Sequence, residues 1–96
     1  MIRMKESELR KISNPERVFK KFKKLAMEGT IHISNLKDKK YYVMTPEGRK
    51  VQFGSRMEDY TYHRDKQRRD NFKSRNAKWK TAYKYSPAYL SYHLLW

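Results

Sequence analysis

Cysteine is absent from the 96 residues. That excludes disulfide staples, cysteine-based zinc sites and thiol catalysis together. Glycine is scarce, with three residues, and neither a Walker A sequence nor G-x-G-x-x-G occurs, so no glycine loop is present to cradle a phosphate. Acids are few: 10 Asp and Glu stand against 24 Lys and Arg. No apolar run approaches the roughly 18 residues of a transmembrane helix. The opening MIRMKESELRK has no apolar stretch of the kind a secretory signal needs.

What is present is positive charge and aromatic rings. The net charge is +14, and aromatic residues make up 15%. A chain with this excess repels itself and seeks polyanions: nucleic acid, an anionic membrane face or an acidic protein surface. The rings are too many for a disordered tail. At this length a single small core is marginally stable alone, so a lean domain that gains stability from binding is expected.

Hydrophobic spacing predicts the elements. Residues 1–13, with Ile2, Met4, Leu9 and Ile12, read as a short helix or an arm. Asn14-Pro15-Glu16 is a helix start: an N-cap, a proline at the first helical position and an acid at the positive end of the dipole. A helix over 15–28 follows, with Val18, Phe22 and Leu25 on one face and Gly29 as its C-cap. Its polar side carries Lys20, Lys21, Lys23 and Lys24. Alternation at Ile31 and Ile33 and at Val51 and Phe53, with Tyr41–Met44 a strand partly apolar on both faces, predicts a small antiparallel meander of two or three strands over 30–54, its 40–54 hairpin turning at Thr45-Pro46-Glu47-Gly48. A long basic helix is expected over 62–80, capped by Asp59 or Thr61, with little apolar stripe beyond Phe72 and Trp79. Thr81 to Tyr85 reads as a loop. Ser86-Pro87 opens a C-terminal helix over 87–96, with Tyr89, Tyr92, His93 and Trp96 on one side and Leu90 and Leu94 beside them. The fold class is α+β, in one domain.

Enzyme chemistry finds little support. His32, His63 and His93 lie too far apart in sequence to show ligand spacing, and H-E-x-x-H is missing. A metal held by His63, Asp59 and Asp65 is conceivable. The simpler reading makes Asp59, Thr61, His63 and Asp65 a helix-entry motif, with Asp65 pairing Arg69 one turn on. Carboxylates flanked by Lys and Arg favour their charged form, the wrong direction for a general acid. No catalytic residue, metal or cofactor is expected.

Binding remains. Arg64, Arg68, Arg69, Lys73, Arg75 and Lys78, with the four lysines of the first helix, form the candidate polyanion or partner surface. Phe72, Trp79, Tyr89, Leu94, Leu95 and Trp96 are candidate core or partner anchors. With no helix-turn-helix, RNP strand or zinc finger legible, nucleic-acid contact would be led by the backbone and be sensitive to salt.

The stretch from Phe53 to Arg75 (FGS…DYTYHRD…RR…F…R), followed by a segment ending LLW, resembles an uncharacterised family of small basic proteins encoded by giant double-stranded DNA viruses. The matching residues are Phe53, Gly54, Asp59, Tyr60, Thr61, His63, Asp65, Arg68, Arg75, Ser91, Leu94, Leu95 and Trp96. Pro87 departs from the pattern, which would have a small or polar residue there. The resemblance implies a shared fold, a viral origin and a place in the virion after synthesis in host cytoplasm or virus factory, and it implies no activity. Together, residues and resemblance predict a non-enzymatic virion component, a minor capsid or cementing protein that docks on larger, acidic capsid neighbours. The alternative is a nonspecific nucleic-acid-binding protein that coats or condenses the genome. A membrane surface is the less favoured partner, and no small-molecule substrate is expected.

Overall fold

Side-chain alternation along residues 41–53 decides which face of the sheet is buried. Tyr41 and Val43 on one strand, and Val51 and Phe53 on the next, all turn inward, while Tyr42, Met44 and Gln52 stay partly exposed. The computed structural model describes residues 6–96, so Ile2 and Met4 of the expected arm lie outside the described residues.

The chain runs α1 (Glu6–Leu9), α2 (Pro15–Lys24), β1 (Thr30–Ile33), β2 (Tyr41–Met44), β3 (Lys50–Phe53), α3 (Tyr60–His63) and α4 (Lys66–Arg75). A 3-10 segment (Ala77–Thr81), α5 (Pro87–Leu90) and a wider π turn (Ser91–Leu95) complete it. The strands form one antiparallel sheet in the order β1-β2-β3. The register sets Ile31 opposite Val43, Val43 opposite Val51, and Tyr41 opposite both Ile33 and Phe53. This is the expected α+β class.

The helices supply the rest of the core: Leu9, Val18, Phe22, Tyr60, Phe72, Leu90, Leu94, Leu95 and Trp96 join the inward residues of the sheet in one cluster. The C-terminal rings and leucines are therefore spent inside the molecule. Trp96 stacks on Phe72 with ring centroids 4.3 Å apart and planes 8° from parallel. That contact holds α4, whose other residues are polar and of which Phe72 alone is buried.

Two helices differ from expectation. The first stops at Lys24 rather than residue 28, because Ala26 takes a left-handed conformation (φ 54°) directly after the last turn. Gly29 is not the C-cap. It has φ 104° and lies so close to the Met44 carbonyl that no Cβ fits, so it serves the entry to β1. The long helix over 62–80 is broken at both ends. Arg64, left-handed at φ 58°, closes α3, and Asp65 starts α4 afresh by accepting from the amides of Gln67 (3.0 Å) and Arg68 (3.3 Å). At the far end Asn76 turns its backbone N–H and its side-chain amide onto the Phe72 carbonyl, both at 3.0 Å. A polar side chain that bonds its own backbone competes with helix continuation, and the chain tightens into the 3-10 segment.

Candidate polyanion-binding site

The scaffold of the site is a buried polar network. Asp59 caps α3 through the Thr61 amide (2.9 Å), and its carboxylate also accepts from the Thr61 hydroxyl. Its other oxygen lies 3.0 Å from the Lys40 ammonium, with both side chains at most 1% exposed. Lys40 donates in addition to the Met57 carbonyl. Its stem is pressed between the backbone of Gly54 and the core: a Cβ at Gly54 would sit 3.0 Å from the Lys40 Cβ and 3.2 Å from Leu95. Burial pushes the Lys40 ammonium below the usual lysine range, and Asp59 pulls it back up.

The hydroxyl protons of this network can be placed by elimination. A carboxylate only accepts, so Thr61 donates to Asp59. Its one proton being used, Thr61 accepts from the Asn14 amide (3.0 Å) and from Ser13 (3.2 Å). Ser13 in turn accepts from the Tyr41 hydroxyl (2.7 Å). The chain Tyr41→Ser13→Thr61→Asp59←Lys40 thus joins β2, the start of α2 and the start of α3 with no polar atom of it left unpaired. Arg17 adds a clamp from α2, donating to the Thr61 carbonyl at 2.8 Å.

These bonds orient the entry to α4. His63 Nδ1 accepts from the Asp65 amide at 2.9 Å, which places its proton on Nε2. That nitrogen is buried without a hydrogen-bond partner, and the Trp96 ring lies 5.3 Å away at 54°. Burial first, then the neighbouring Arg68, lowers the His63 pKa, which favours the neutral ring. The expected Asp65–Arg69 ion pair does not form: Asp65 is taken up by capping, and Arg69 turns to Asp70 at 3.2 Å. Among the described residues no three His, Asp or Glu side chains gather as a metal site. Asp59 faces Lys40, and Asp65 faces backbone amides.

One turn beyond the clamp, α2 presents Lys21 to the same ring that receives cations from α3 and α4. The Arg64 and Arg69 guanidinium carbons lie 4.8 Å and 4.9 Å from the Tyr60 ring centre, and the Lys21 ammonium lies at 5.9 Å. Next along α4, Lys73 sits 4.8 Å from the centre of the Tyr92 ring. Of these four cations only Arg69 has a carboxylate within ion-pair distance, the exposed Asp70, among the described residues. The ring faces compensate part of the crowding. The remainder shows in the lysines: burial and then Lys73 push Lys21 down to about 8, Asp59 opposes this, and Arg64 and Arg69 add to it. Lys73 is also lowered, by burial and then by Arg69.

The structure thus divides the predicted basic residues. Lys21, Arg64, Arg69 and Lys73 converge. Arg68, paired with Glu58 at 3.1 Å, and Arg75 lie on the other flank of α4 beside a small cavity. Lys20, Lys23, Lys24 and Lys78 are exposed and lie outside both groups. Of the predicted anchors, Phe72, Leu94, Leu95 and Trp96 are buried, while Trp79 and Tyr89 pack against the core part-buried. Sequence reasoning missed Lys40, Arg17 and the ring floor of Tyr60 and Tyr92. The spacing Arg17–Lys21, one helical turn, was the available signal for the α2 face.

No curated protein and no solved structure matches this chain. A family model does match over residues 29–76, from just before β1 to the end of α4, a span that holds Lys40, Asp59, Arg64, Arg69 and Lys73. Because that match covers half of the 96 residues, the chain belongs to a family of unknown function, DUF5754.

Proposed function

We propose that this protein is a non-enzymatic binder of nucleic-acid backbone, and that Lys21, Arg64, Arg69 and Lys73 hold its phosphates. The observation that carries the reading is the convergence of those cations from three helices onto Tyr60 and Tyr92, with too few carboxylates to neutralise them. Bringing like charges together costs energy in the free protein, and a phosphodiester chain offsets that cost by supplying the missing anions. The contact is with backbone oxygens and carries no base code. The protein would coat nucleic acid without reading its sequence, as a genome-associated component of a virion would.

The same charge would also meet an acidic capsid neighbour. Docking of that kind has less support, because Leu94, Leu95 and Trp96, its expected anchors, are consumed by the protein's own core.

Two variants of equal net charge decide the matter. One replaces Lys21, Arg64, Arg69 and Lys73 with Gln; the other replaces Lys20, Lys23, Lys24 and Lys78 with Gln. By fluorescence anisotropy on a short duplex at low salt, the first is expected to bind at least about ten-fold more weakly than the second. Equal losses would mean that net charge alone drives binding and that the cluster has no special part.

A further inference from the structure

A cavity of about 470 Å³, within the range of ligand-binding clefts, reaches α4 at Phe72. Its walls are mainly rings and aliphatic groups: Phe53, Phe72, Trp79, Leu95 and Trp96. Trp79 is half-buried, held edge-on by Phe72 with ring centroids 5.8 Å apart at 75°. A second hollow of about 200 Å³, lined by Arg68, Asn71 and Arg75, shares Met57 and Trp96 with the first, so the two adjoin there as neighbouring parts of a trough.

The larger hollow is mainly apolar, and basic side chains belong to both linings: Lys39 to the larger, Arg68 and Arg75 to the smaller. No carboxylate side chain is in either lining, and Glu58 pairs with Arg68 at 3.1 Å from outside them. Lys39 and Arg75 have no ion-pair partner among the described residues. Three serines also line the cavity: the Ser86 hydroxyl is taken up by Tyr83 and Tyr89, whereas Ser55 and Ser91 have no side-chain hydrogen bond among the described residues. We propose that the cavity receives one unpaired base of a single-stranded nucleic acid, whose flanking phosphates lie on Lys39 at one side and on Arg68 and Arg75 at the other.

The chemistry separates this occupant from an acyl chain. A fatty acid carries charge at one end and offers nothing to hydroxyls in the wall. A base has a flat π face for the indole, polar edges for the serines and a phosphate on each side, matching a ring-walled hollow that has Lys39 in its lining and Arg68 and Arg75 in the hollow beside it. Stacking on an aromatic side chain tolerates any base. The proposal rests on the phosphate-binding reading above and adds to it a preference for unpaired strands.

The test compares three probes of about 12 nucleotides, within the usual site sizes of single-strand binders: a single strand, the same strand with abasic positions, and its duplex. Affinity and tryptophan emission are read for each. The single strand is expected to bind about ten-fold more tightly than the abasic strand and the duplex, and to quench emission. Trp79→Leu should remove the preference while leaving duplex binding unchanged. Ser91→Leu, which fills the cavity instead of emptying it, should do the same, with unfolding midpoints verifying that both variants fold. Equal affinity for base-bearing and abasic strands would overturn the proposal, as would a preference that survives both substitutions. Quenching by a long-chain fatty acid but not by the single strand would overturn it too. Failure to bind any of the three oligonucleotides would instead remove the phosphate-binding reading, and this proposal with it.

Discussion

Single residues decide how the site is held. The Lys40–Asp59 pair is fully buried, so neither charge can fall back on water if the other is removed. Asp59→Asn should destabilise the fold by about 3–5 kcal/mol, because it strands the Lys40 ammonium in the core. Urea denaturation measures this, and a loss below about 1 kcal/mol would show that the pair is not sealed from solvent. Lys21 gives a prediction about pH. Its pKa is lowered to about 8, so its charge disappears as pH rises from 7 to 9, well before that of an ordinary lysine. Phosphate binding should weaken across that interval and should take up a proton near pH 8. Calorimetry in buffers of different ionisation enthalpy reads the proton, and equal heats would contradict the placement of Lys21. Asp59, Thr61, His63 and Asp65 were legible as a helix-entry motif because capping is local in sequence. Lys40 was not: beside Lys39, before a strand, nothing in its neighbours marks a lysine that will be buried against an acid 19 residues away.

Elements show the limits of periodicity. The start of α2 was readable because Asn14 and Pro15 act within their own turn, and the Asn14 side chain does accept from the Arg17 amide at 3.2 Å. Its end was misplaced because the left-handed residue is Ala26, while the glycine that looked like the stop is needed under Met44. An alanine with φ near 54° carries a strain that glycine does not. Ala26→Gly should therefore raise stability by up to about 1 kcal/mol despite the extra freedom of the unfolded chain. A lower thermal midpoint in this variant would contradict the assigned conformation. The 62–80 helix failed for another reason. With one buried residue in α4, no apolar stripe marks where a helix must stop, and the break is set by Arg64, Asp65 and Asn76 acting through the backbone. That break matters for the site. It turns Arg64 back toward Tyr60, where Lys21 and Arg69 already point.

At the scale of the whole molecule, an excess of +14 charges sits on a core of 15 buried hydrophobic side chains among the described residues. The α+β class was legible, and so was the alternation of Val51 and Phe53, but the Tyr41–Met44 strand read as apolar on both faces, and only the structure shows that Tyr41 and Val43 are the buried pair. Which basic residues meet was not legible, since Lys21 and Lys73 lie 52 positions apart and come together only through packing of α2 against α3 and of α3 against α4. The central claim is that duplex phosphates bind at this convergence and not at the charged surface at large. The slope of log affinity against log salt on duplex DNA tests it most directly, since each phosphate contact contributes about 0.9 to the slope. Replacing Lys21, Arg64, Arg69 and Lys73 with Gln should make the slope shallower by about 3–4, whereas the same replacement at Lys20, Lys23, Lys24 and Lys78 should change it by less than about 1. Identical slopes for the two variants would contradict the account.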